Sequence, residues 1–387
     1  MRGGVANNAT DHDWRSRLSA MTTPLASIFG SGFLVIVSVL GGSVGPWSAP
    51  AMVGICALAY AVGTVIRYNI RHSQPLIEAK DTPRRVEVLS TFGQVALIPA
   101  YVISVTLYIR ILASYALGFF NAGGALPEKL LTTGVLGIVL VLALTRGLSA
   151  LESSEQWALG ATFAIILLLL GAFGFYDVRA LLTHGIILPD MPDASAWHIV
   201  TVLAGTLIVV QGFETARYLG DQFDTETRVR ASRDAQIVSS AVYLVFVASA
   251  TPLMHFLPRQ VSEDALMQLA GIIAMWLTYP LVLVAIFSQF SAAVADAIGG
   301  SGSLIEVTRH TLSKRTTYFL ICLSAIGLCW ATTTFTILAL ASRAFAFYYL
   351  LQCLVAIAVT DKIAQKALFG LVALVLAFVT VFATPVG

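Results

Sequence analysis

In the stretch TVLAGTLIVVQGFETARYLG, residues 201–220, one carboxylate, Glu214, follows a Gln211-Gly212-Phe213 triplet at the end of a long apolar run. A carboxylate at membrane depth costs at least about 2.5 kcal/mol on insertion scales, so its presence argues for a task such as carrying a proton. Pinning loosened backbone, or pairing with a basic residue, is the competing structural reading. A second oddity is Gly30-Ser31-Gly32 inside the apolar stretch SIFGSGFLVIVSVLGG, residues 27–42. Glycine in a helix interior costs about 1 kcal/mol relative to alanine. Backbone groups freed by a break are tolerated in a bilayer only where they meet protein, water or ligand. Exposed amides at a half-helix N-terminus attract an anion, and the carbonyls of an opposing C-terminus suit an ammonium or a cation. A zwitterionic amino acid satisfies both. Close packing of helices through Gly30 and Gly32 is the alternative.

Other polar side chains inside apolar runs extend this set. Arg110 and Arg343 fall by orientation in the outer half of the membrane, where they could gate a vestibule, pair with an anionic group or snorkel. Hydroxyls at Thr162, Ser288 and Ser291 are conceivable ligands of a cation, although serine in a membrane helix more often bonds its own backbone. Tyr101, Tyr108, Phe213 and Phe287 are candidate pocket walls. The four cysteines, Cys56, Cys322, Cys329 and Cys353, lie in apolar runs without CxxC or Cys/His spacing, and no HExxH pattern occurs, so no metal site and no cofactor is expected.

The elements that must carry these residues follow from composition. Of 387 residues 57% are hydrophobic and 11% charged, with a mean hydropathy of +0.83, far outside the balance of a soluble domain. Apolar runs near twenty residues long, without the alternation of a membrane barrel, make an all-α polytopic membrane protein. They fall near 23–44, 49–66, 93–120, 130–145, 157–175, 198–220, 235–254, 266–297, 316–332, 335–359 and 367–384, eleven in all, with the ninth and tenth joined almost directly. Residues 1–22 read as a cytoplasmic tail and not a signal peptide. With that tail inside, eighteen basic residues lie in cytoplasmic segments against three outside, Lys129, Arg179 and Arg259. The bias predicts a cytoplasmic N-terminus and an outer C-terminus in a cell membrane. The two glycine-interrupted spans are the first and the sixth. Interruptions at matching places of two five-helix halves point to inverted repeats around a midplane site. The halves are placed at 23–177 and 196–360, with 367–384 as an additional helix.

Three stretches resemble the amino acid/polyamine/organocation (APC) superfamily of permeases, which share the leucine-transporter-like fold. They are IFGSGFLV at 28–35 with GPWSAPAMVGICALAYAV at 45–62, TRGLSALESSEQWALGATFAIILLLLGAF at 145–173, and QGFETARYLGDQFDTETRVRASRDAQIVSS at 211–240. The resemblance covers nearly the whole chain in order and spacing. It implies that Gly30, Ser31 and Gly32 supply amides to a substrate carboxylate. Gln211, Gly212 and Phe213 would supply carbonyls near the amino group, and Glu214 would couple transport to protons. The chain departs from the family pattern in its eleven spans, in DTPRRVEVLSTFG at 81–93, and in Thr162 where some proton-coupled relatives carry lysine.

The expectation is therefore a secondary transporter of an amino acid or related amine, proton-coupled as symporter or exchanger, working by alternating access. Its partners would be a small-molecule substrate, a coupling ion (H+) and the lipid bilayer, with no nucleic acid. A sodium- or potassium-coupled transporter and a non-transporting substrate sensor are the alternatives. A membrane-embedded enzyme is disfavoured, because DHD at 11–13 and the sparse outer loop with EDAL assemble no catalytic cluster.

Overall fold

The computed structural model describes residues 5–79, 83–145, 148, 155–183, 185–258 and 261–386; the side chains of 5–13, 31, 155–156 and 208 lie outside that description. Among the described residues all regular structure is helical. The order is α1 (Val5–Gly32), α2 (Ile36–Ser43), α3 (Ser48–Tyr68), α4 (Gln74–Glu78), α5 (Arg84–Phe119), α6 (Ala125–Thr145) and α7 (Glu155–Thr183). It continues with α8 (Ala196–Ala204), α9 (Thr225–Ala250), α10 (Ala265–Ile273), α11 (Thr278–Val307), α12 (Lys314–Ala331), α13 (Thr334–Val359) and α14 (Ile363–Phe382).

Among the described residues seven helical stretches are long and apolar enough to cross a membrane: Gly45–Glu78, Arg84–Phe119, Ala125–Thr145, Trp157–Thr183, Met275–Val307, Thr334–Val359 and Ile363–Phe382. The other four expected segments have physical reasons to fall short. The first and sixth are interrupted, α9 opens on the charged TETRVRASRD, and α12 is only 18 residues long and opens on Lys314-Arg315. The ninth and tenth segments are separate helices. Thr332 is extended between them, and the Thr333 hydroxyl caps α13 by accepting from the Thr336 amide.

Burial divides the apolar interior into two clusters. The smaller joins α5, α6, α11 and α12 through residues such as Val105, Ile109, Leu136, Val139, Val294, Ala297, Tyr318 and Cys322. The larger gathers α1, α2, α3, α7, α9, α10, α13 and α14, with other faces of α5 and α11. Helices α5 and α11 therefore serve both, and they pack extensively on each other. All four cysteines are buried and unpaired with one another, so they act as small apolar fillers. Arg17 on α1 forms an ion pair with Asp234 on α9, tying the N-terminal helix to the larger group.

Candidate functional site

The first interruption sits three residues later than the sequence indicates. Helix α1 continues through Gly32, so the amides of Gly30, Ser31 and Gly32 lie within it and donate to carbonyls four residues back. The helix opens only at Phe33–Val35 before α2 resumes. The expected role of these amides as carboxylate donors is thus corrected for this conformation. Gly32 is instead a packing contact, because a Cβ there would lie 2.3 Å from Val209 Cα. Gly30 is looser, its Cβ position being 3.2 Å from the Ala292 Cβ. The carbonyls around this break are taken by neighbours: Gln289 Nε2 donates to Gly30 O at 2.8 Å, Tyr115 O–H to Leu34 O at 2.8 Å, and Tyr243 O–H to Ile28 O at 3.0 Å.

The second interruption is longer. After α8 the chain passes through a 3-10 turn at Leu207–Val210, the pair Gln211–Gly212, and a second 3-10 turn at Phe213–Tyr218. Gly212 takes φ +128°, a backbone that side-chain-bearing residues rarely adopt, and a Cβ there would meet Ser27 Oγ at 2.6 Å and Ile28 N at 2.7 Å. This glycine lets the second break lie directly against α1. Tyr243 spans both breaks, since its hydroxyl also reaches Val209 O at 3.1 Å. Ser232 Oγ donates to Phe213 O at 3.1 Å, and Thr215 Oγ1 to Gly212 O at 2.7 Å.

Glu214 is 4% exposed. Its Oε2 accepts from the Gly212 amide at 2.9 Å and from the Tyr349 hydroxyl at 2.8 Å; that hydroxyl also lies 3.2 Å from Gln211 Oε1. Phe213 stacks on the Tyr349 ring at 5.5 Å between centroids, which fixes the phenol over the break. Among the described residues no Lys, Arg or His forms an ion pair with Glu214. The two competing tasks therefore separate: the carboxylate does bind its own loosened backbone, and it has no basic partner there.

Glu214 also lines a cavity of about 990 Å³. Of the residues singled out from sequence, Gly30, Tyr101, Tyr108, Thr162, Gln211, Ser288 and Ser291 share that cavity. Thr162 and Ser288 donate to carbonyls of their own helices, at 2.8 Å to Ala158 O and 3.4 Å to Ala285 O, which leaves their oxygen lone pairs as acceptors. Gly32, Gly212 and Phe213 do not line it, and the Ser31 side chain lies outside the described residues. Phe287 is 64% exposed on the outer face of α11 and is not a pocket wall. Neither arginine lines the cavity. Arg110 is buried, donates to Thr334 Oγ1 at 3.1 Å and lies 3.7 Å from Glu128, so it joins α5, α6 and α13. Arg343 donates to the carbonyls of Thr380 and Val381 at the end of α14. Both are ties between helices and stand apart from this cavity.

The wall continues along α11 through Asp296, Ser303 and Glu306 to His310. Sequence reasoning missed Asp296, although VADAIGG carries the same signal as Glu214, a lone carboxylate in an apolar run. The cavity thus runs toward the end of the bundle that holds the basic segment Arg309–Arg315. At the opposite end a separate cavity of about 530 Å³ is lined by Ser38, Gly42, Asp190, Met254 and Val261, among others. Buried Phe33, Leu34, Ile36 and Val37 stand at the first break, between the parts of that span that line the two cavities.

Helix breaks beside one polar cavity, in a chain of packed apolar helices, are matched by similarity to known proteins at the level of family and fold. The sequence profile of APC superfamily transporters matches residues 11–383. The chain belongs to that superfamily. An uncharacterized protein of Aquifex aeolicus strain VF5 is 37% identical over 378 residues, covering 95% of this APC transporter and 91% of the relative. Among solved structures, the manganese transporter of Eremococcus coleocola, crystallised with an aromatic bis-isothiourea compound, superposes with a TM-score of 0.59 at 14% identity, over 98% of this chain and 87% of that one. At that identity the likeness speaks for the fold alone.

Proposed function

We propose that this APC transporter carries an amino acid or related amine, coupled to protons through Glu214, by alternating access across the cell membrane. The observation that carries this reading is the Glu214 carboxylate, placed at a helix break on the wall of the large cavity and held by Gly212 and Tyr349. Both donors engage Oε2, so a proton can be carried on the other oxygen without breaking either bond. The hydroxyls, aromatic rings and amide of the lining suit an organic amine. By the distribution of basic residues the large cavity faces the cytoplasm, and the halves 23–177 and 196–360 act as the inverted repeats.

The test is uptake of labelled amino acids and amines into proteoliposomes under an imposed pH gradient. Wild type should respond to the gradient. Glu214→Gln should keep binding, measured by thermal shift, and lose the response. Uptake that stays gradient-driven in Glu214→Gln removes the coupling role. Thr162, Ser288 and Ser291 lie on the same wall and favour sodium or potassium coupling as a second reading; dependence of uptake on either cation at constant pH would select it. Saturable binding without counterflow would mark a sensor.

A further inference from the structure

The charge of the cavity wall is one-sided. Its described lining carries three carboxylates, Glu214, Asp296 and Glu306, and no lysine or arginine; His310 is its one imidazole. The carboxylates are spread out and not clustered. Asp296 lies eight residues beyond Ser288 on α11, about 12 Å along the axis, and Glu306 about 15 Å further.

Asp296 is held in place. Ser104 on α5 donates its hydroxyl to Asp296 Oδ2 and also lies 3.1 Å from Tyr101 O. Tyr101 packs closely on the backbone of α11 one turn further on: Cβ positions at Gly299 and Gly300 would be 3.1 Å and 3.2 Å from Tyr101 atoms. The result is a carboxylate beside an aromatic ring, a combination that attracts organic cations. At the other end of the same stretch of α11, Gln289 is 1% exposed and its amide donates to Gly30 O. Its buried Oε1 has no hydrogen-bond partner among the described residues, an acceptor left over next to Gly30 and Ser288, which both line the cavity. An N–H is the kind of group that acceptor lacks.

Asp296 and Glu214 sit on different parts of the fold. Ser104 and Asp296 belong to α5 and α11, the helices that build the smaller apolar cluster, whereas Glu214 belongs to the broken span packed in the larger one. We infer that Asp296, positioned by Ser104, is a specificity-determining carboxylate that receives a second positive group of the cargo, so that dibasic compounds bind in preference to monobasic ones of the same length. This rests on the amine reading above.

The experiment compares thermal-shift affinities of L-norleucine, L-lysine and L-arginine, with Mn2+ as a further arm, on wild type, Asp296→Asn and Ser104→Ala. Wild type should bind L-lysine or L-arginine at least about tenfold more tightly than L-norleucine, the size of one added charge-assisted hydrogen bond. Asp296→Asn, which keeps an acceptor for Ser104, should lose that preference while its L-norleucine affinity and its own unfolding midpoint stay unchanged. Ser104→Ala should lose part of it. An unchanged preference in Asp296→Asn, or none in wild type, overturns the assignment of Asp296 and leaves the amine reading standing. Binding of Mn2+ alone, with none of the three amino acids, overturns both.

Discussion

The two interrupted spans answer the same problem in unequal ways. At Phe33–Val35 the first span loses about one turn, and its neighbours donate to carbonyls before and within the gap: Tyr243 to Ile28, Gln289 to Gly30 and Tyr115 to Leu34. At 205–218 the sixth span gives up α-helical geometry altogether and turns through a positive-φ glycine. Only the second carries a carboxylate. A break that shapes a wall needs its backbone satisfied and nothing more. A break that holds an ionisable group at membrane depth needs donors aimed at that group: the unwinding frees the Gly212 amide for Glu214, and α13 supplies the Tyr349 hydroxyl.

The largest test of this asymmetry is Gly212→Ala. The new Cβ meets both an unfavourable φ and the α1 backbone, so a loss of about 3 kcal/mol or more is expected, seen as a lowered unfolding midpoint in detergent and as lost uptake. If this variant were as stable as wild type, the second break would not be a fixed part of the fold. Gly32→Ala comes next, at about 1–3 kcal/mol, because Val209 Cα cannot move aside as a side chain could; Gly30→Ala should cost much less, since the Ala292 methyl needs to yield only slightly. Comparing the two alanine variants by thermal unfolding separates a packing glycine from a wall glycine, and equal costs would contradict that distinction.

Tyr243→Phe sharpens the comparison by cutting the hydroxyl that reaches both breaks, at Ile28 O and Val209 O. A loss of about 1–2 kcal/mol is expected, and hydrogen exchange should rise at both breaks together and not at one alone. The smallest effect belongs to a control away from both. Asp224 caps α9 by accepting from the Thr227 hydroxyl and from the amides of Thr227 and Glu226, and these bonds hold its carboxyl below the usual aspartate range. Asp224→Ala should cost about 1 kcal/mol without altering either break. A depressed carboxyl stabilises above its unfolded pKa and ceases to as the pH falls through its folded one. The difference in unfolding midpoint between wild type and Asp224→Ala should therefore be constant at neutral pH and shrink below about pH 4.

Much of this was legible beforehand because bilayer physics constrains sequence so tightly. The eleven apolar segments reappear as helices or helix pairs, and Glu214 stood out since a lone carboxylate in such a run is costly. Asp296 carries the same cost, but no adjoining glycine marks a break beside it in the sequence. Other parts depended on contacts across the chain. Gly30-Ser31-Gly32 looked like the gap itself, yet helix propensity yields to packing there, and the gap opens just beyond Gly32. Depth alone places Arg110 and Arg343 in the outer half of the membrane, open to gating, pairing or snorkelling. Depth could not say that their partners were Thr334, Glu128 and the end of α14.

By itself, then, the sequence determined that the chain is a helical membrane protein, which spans are interrupted, and that Glu214 lies at one of them, because hydropathy, glycine and buried charge each carry a local cost that is read residue by residue. The tertiary structure alone decided which glycine packs and which lines, which hydroxyl closes which carbonyl, and that Glu214 and Asp296 share a cavity with no lysine or arginine in its described wall. Those are matters of approach between helices far apart in the chain, 259 residues in the case of Gln289 and Gly30, and no local cost in the sequence records them.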